Sequence, residues 1–134
     1  MRRRLAIFGF VVLAAYWAAL FVATHTPDVE GTDIFNHADK VAHACAYAIL
    51  AWLGAMVLRI LHWPTLAICV TVFLVCTTYG AVDEWLQQYA DRHANPWDWI
   101  ADVVGTVLGL AIFLLTHNEI RNDYTRFVPP KPDS

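Results

Sequence analysis

Apolar residues run along this chain in four long blocks, and polar residues gather between them. The blocks are Leu5 to Ala23, Ala42 to Leu61, Pro64 to Val82 and Ile100 to Thr116. Each is near the roughly 20 residues that a helix rising about 1.5 Å per residue needs to cross a bilayer. The pattern predicts an all-α fold, an integral membrane four-helix bundle over residues 1–116. A polar cytoplasmic tail over 117–134 ends in "VPPKPDS" and is expected to be mobile. Pro64 suits the first position of the third helix; Asn95 and Pro96 suit the N-cap and first position of the fourth.

Composition sharpens this picture. The chain is 58% apolar, against about 45–50% in soluble domains. A formal net charge of −3 offers no footing for nucleic acid. Arg2, Arg3 and Arg4 precede the first block, as in a secretory signal. The run is long for a signal core, however, and "FVATHTP" lacks a small-x-small cleavage site, so it reads as an uncleaved first span. Cys45, Cys69 and Cys76 fall inside spans and read as small apolar fillers, not as a disulfide framework.

Charge asymmetry predicts orientation. The N-terminal arginines put both termini in the cytoplasm, together with Arg59, Arg121, Arg126 and Lys131. Lys40 and Arg92 are then left at the outer face, with every acid except Glu119, Asp123 and Asp133. Trp85, Tyr89, Trp97 and Trp99 form an expected outer aromatic belt; His62 and Trp63 anchor the inner side. The expected location is the cell (inner) membrane.

The candidate chemistry collects at that outer face. Asp39, His43 and Tyr47 follow at steps of four and share one helix face. Asp39 can favour the helix dipole and Lys40 can snorkel to headgroups. His43 lies a turn deeper, where an ionisable group needs a partner or a cavity. Asp83 and Gln87 share a face of the third helix, with Glu84 beside them. Because neighbours point about 100° apart, one of the two acids is expected to aim inward and the other to be solvated. Asp98 fits a capping box. Asp102 lies one turn deeper, followed by Gly105 and Gly109 in a small-xxx-small pattern that lets helices approach closely. Thr24, His25, His37 and His93 read as loop residues on solvated ground.

Together these blocks resemble the VanZ-like membrane proteins. "DKVAHACAYAIL" matches the family's aspartate-lysine, histidine and tyrosine at Asp39, Lys40, His43 and Tyr47. "YGAVDEWLQQYADR" matches its acidic-glutamine element at Glu84 and Gln87, preceded by Asp83, and its arginine at Arg92. "DWIADVVGTVLG" matches at Asp98, Asp102 and Gly105. The loop "YADRHANPW" departs from the family in lacking the glycine or proline that often precedes the arginine. The resemblance spans Asp39 to Gly109 and implies a multi-pass protein of the cell envelope. The family's namesake is associated with teicoplanin resistance, and most relatives have no established activity.

Three uses of the outer-face residues are open. In a binding protein, Arg92 and Lys40 grip the phosphate of a membrane lipid or cell-envelope precursor, or the cluster takes a polar moiety of a glycopeptide, with the acids holding the cations. In an enzyme acting on an envelope lipid, His43 is general base or acid, Asp39, Asp83 or Asp98 orients it, and Arg92 stabilises developing charge. A divalent ion on Glu84, Asp98 and Asp102 is a variant, since oxygen ligands suit Mg²⁺ or Ca²⁺, whereas one histidine among acids is a poor match to zinc. In a structural protein, the same groups form an interhelical network. The candidate catalytic residues are therefore His43, Asp39, Glu84, Arg92 and Asp98. The candidate ligand-binding residues are Lys40, Tyr47, Asp83, Gln87, Arg92 and Asp102, with Gly105 and Gly109 for packing. The sequence assigns no cofactor and no definite metal ligand set.

Overall fold

An apolar stretch without water must pair its backbone groups internally, which a helix does within one segment. The computed structural model describes residues 2–26, 36–87, 89 and 96–127. It contains four helices: α1 (Arg2–Thr24), α2 (Asn36–Ile60), α3 (Thr65–Gln87) and α4 (Pro96–Phe127). All four are long and apolar enough to cross a membrane, so the chain reads as a multi-pass membrane protein.

The helices outrun the apolar blocks. α2 starts at Asn36, taking His37, Asp39 and Lys40 into its first turns, and α3 continues to Gln87. The tail expected from His117 onward is helical as far as Phe127. Pro64 is not the first helical residue of α3. Its carbonyl accepts the Ile68 N–H at 3.0 Å, so it occupies the cap and the helix starts at Thr65. Pro96 does open α4, whereas Asn95 lies outside the described residues.

α2 ends in a Schellman turn. The Trp63 N–H donates to the Leu58 carbonyl at 3.2 Å, and His62 holds a φ of 62°. That left-handed position is usually glycine's.

α2 is the central helix and touches the other three, with its most extensive interface against α4. The cause is small residues. A Cβ added to Gly105 would collide with the Ala44 carbonyl oxygen, and one added to Gly109 with that of Ala48. These contacts advance together along both helices, so α2 and α4 run parallel. The core is built from Tyr47, Leu50, Ala51 and Ala55 of α2, Ile68, Val72 and Cys76 of α3, and Leu110 and Phe113 of α4. α1 sits at the side, mainly on α2, where Tyr16 Oη donates to the Ala46 carbonyl at 2.9 Å. Large apolar side chains such as Phe8, Leu66, Leu74 and Leu115 remain exposed, as expected for surfaces meeting lipid rather than water.

Candidate functional site

Alternating helix direction brings the end of α1, the start of α2, the end of α3 and the start of α4 to one end of the bundle. Four acids of the described residues lie there and are inside the bundle. Asp83 and Asp102 are 1% exposed, Asp98 6%, and His43 and Glu84 7%. Buried carboxylates are tolerated in apolar surroundings when partners face them.

Those partners come from different helices. His43 Nδ1 of α2 lies 2.9 Å from Asp102 Oδ1 of α4. With Asp102 ionised, the carboxylate can only accept, so Nδ1 carries the hydrogen; when the ring is neutral, Nε2 then keeps its lone pair. One turn nearer the helix starts, Lys40 Nζ is 3.5 Å from Asp98 Oδ1. Asp83 takes three neighbours. Thr24 Oγ1 donates to its Oδ1 at 3.2 Å, Gln87 Nε2 donates to its Oδ2 at 3.2 Å, and His25 Nδ1 stands 3.7 Å away. The Trp99 indole N–H donates to the Thr77 carbonyl at 3.0 Å and ties α4 to α3 just outside the cluster.

Several sequence expectations are corrected by this geometry. Asp83 and Glu84 do not divide into an inward and a solvated acid; both are buried. The partner of His43 is Asp102, not Asp39, Asp83 or Asp98. Asp39 is exposed at the edge of α2. Asp98 does more than cap: it meets Lys40 across the α2–α4 interface, which also means that Lys40 is not a lone snorkelling cation. Thr24 and His25 are not solvated loop residues. Thr24 is buried and both reach Asp83. His37 lies in the first turn of α2. Arg92 and His93 lie outside the described residues.

Thr24 and His25 were the residues sequence reasoning missed. The available signal was depth: both end the first span at the level where the third span carries Asp83.

Several buried polar atoms of the cluster lack a hydrogen-bond partner among the described residues. Asp102 Oδ2 and the Tyr47 hydroxyl are two of them. Tyr47 is wedged in the core with its ring stacked near Tyr79, centroids 6.1 Å apart, so it is a buried polar tip on a packing side chain. Asp102 is also crowded by α3, since a Cβ on Gly80 would come within 2.9 Å of Oδ2. His43, Glu84 and Asp102 each offer one potential ligand atom, and the three atoms lie within 4.8 Å of one another.

A cavity of about 180 Å³ opens between α1 and α2. It is lined by Thr24 of α1 and by Asp39, Ala42, His43 and Ala46 of α2. Its walls are apolar apart from Thr24, Asp39 and His43. No family model matches this chain, and no curated protein or solved structure matches it either.

Proposed function

We propose that this chain is a VanZ-like membrane protein that binds the headgroup of an envelope lipid or lipid-linked precursor at the outer face of the cell membrane. The cavity between α1 and α2 carries this reading, because its lining combines alanine and leucine with the polar side chains of Thr24, Asp39 and His43. An amphipathic ligand needs both. The volume, about 180 Å³, is below the roughly 300–1,000 Å³ of pockets for drug-sized ligands. It suits a headgroup fragment and is too small for a glycopeptide. The N-terminal arginine run supports an orientation with both termini cytoplasmic.

The test is native mass spectrometry of the detergent-purified protein with phosphatidylethanolamine, phosphatidylglycerol and a polyprenyl-pyrophosphate-linked sugar. One of these is retained by the wild type and lost on filling the cavity with Ala42→Leu at normal folded yield. Equal retention by the wild type and Ala42→Leu, or no retention of any of the three, refutes the reading.

The His43–Asp102 pair supports a second reading, a membrane-embedded enzyme acting on such a lipid. A carboxylate on Nδ1 sets the tautomer and leaves Nε2 available to take a proton. Here the retained lipid is chemically changed on incubation, and His43→Ala abolishes the change. Stoichiometric binding without turnover supports the binder alone.

A further inference from the structure

We propose that His43, Glu84 and Asp102 form a binding site for one divalent transition-metal ion of the Mn²⁺ class. The three residues come from α2, α3 and α4, all are buried, and their potential ligand atoms lie within 4.8 Å of one another. Ligands bound at about 2.0–2.2 Å are typically about 3–3.5 Å apart. His43 Nδ1 and Asp102 Oδ1, 2.9 Å apart, are already at that spacing, and the ion takes the place of the Nδ1 hydrogen, which is released, leaving the imidazole as its Nε2–H tautomer.

The independent indication of a ligand is Asp102 Oδ2. Asp102 is 1% exposed, its Oδ1 is held by His43, and its Oδ2 has no hydrogen-bond partner among the described residues. A buried carboxylate oxygen without a donor is costly in apolar surroundings, and a cation removes that cost.

The donor set selects the ion. An imidazole nitrogen with two carboxylates suits Mn²⁺ or Fe²⁺ better than Mg²⁺ or Ca²⁺, which prefer oxygen alone, and better than Zn²⁺, which favours sites richer in histidine or cysteine. The Glu84, Asp98 and Asp102 set read from the sequence is superseded here, because Asp98 faces Lys40 at 3.5 Å. Three protein ligands leave coordination positions open, as in metal sites that admit water or a ligand. This site stands whether or not the headgroup reading holds.

The full-length protein in detergent is stripped with chelator, dialysed and titrated with Mn²⁺. Bound metal is counted after gel filtration. The wild type and a Thr116→Val control, about four turns along α4 from Asp102, are expected to retain one ion per chain. His43→Gln and Asp102→Asn are expected to bind at least about tenfold more weakly. Should those variants fail to fold, electron spin-echo spectroscopy of the Mn²⁺-loaded wild type decides, since coupling to an imidazole ¹⁴N is expected. Absence of retained metal, retained Mn²⁺ without nitrogen coupling, or folded variants that bind like the wild type overturns the site. These readouts contain no lipid, so failure of the metal site and failure of headgroup binding register separately.

Discussion

Asp102 Oδ1 and His43 Nδ1 meet at 2.9 Å across the interface between α4 and α2. The Lys40–Asp98 pair lies one turn away on the same interface, and the Ala44–Gly105 and Ala48–Gly109 contacts continue it. The four contacts form a ladder along two parallel helices. Polar pairing at one end and close backbone approach below it therefore depend on a single helix register.

The His43–Asp102 rung should be energetically coupled. Interhelical hydrogen bonds in membranes average about 0.6 kcal/mol and reach about 1.7, and stranding one buried partner costs about 1–3 kcal/mol. A double-mutant cycle of His43→Ala and Asp102→Ala, read by unfolding in mixed micelles, should give a coupling of about 1 kcal/mol. Additive losses would mean that the pair contributes nothing beyond its separate side chains.

The glycines of α4 should be far less tolerant than the glycine of α2. A methyl group at Gly105 or Gly109 meets backbone carbonyls that cannot yield, whereas one at Gly54 meets only Val72 methyls at 3.6 Å and 3.9 Å. Gly105→Ala should lose about 1–3 kcal/mol through overpacking, and Gly54→Ala should be neutral or stabilising. Thermal unfolding monitored by gel filtration separates the two; similar behaviour of the two variants would contradict the packing described.

His62→Gly should stabilise the protein. His62 holds a φ of 62° at the end of α2 and is exposed. Relieving a left-handed conformation is worth about 1 kcal/mol, less the 3.4 Å contact between His62 and Arg2 that is lost. A higher unfolding midpoint is expected, and a lower one would show that the Arg2 contact outweighs the backbone strain.

The proposed orientation predicts sidedness. An impermeant maleimide should label Trp97→Cys in intact cells and His62→Cys only after permeabilisation. Both side chains are exposed, at opposite ends of the bundle. The reverse pattern would put the acidic cluster on the cytoplasmic side.

Much of this was legible along the chain because membrane helices are specified locally. Backbone groups must pair within each segment, so length and apolarity suffice to mark α1 to α4. Gly105 and Gly109, four residues apart and in register with Asp98 and Asp102, also declared a helix face by spacing alone. Spacing failed at Asp83 and Glu84, where the 100° rule solvates one acid. It cannot see that the folded chain buries both.

The partners of each charge were not legible. Asp39 is nearest His43 in sequence, yet the imidazole is held by Asp102, 59 positions away. Thr24 and His25, at the end of an apolar span, join the site only because α1 packs beside α3 at the level of Asp83. The sequence by itself determined that there are four spans, and where their polar ends lie, since both follow from the transfer of each segment into apolar surroundings. Only the tertiary structure decided which acid meets which base, which oxygen is left without a donor, and where a cavity opens. Those follow from helix register and rotation, set by contacts between residues far apart in the chain.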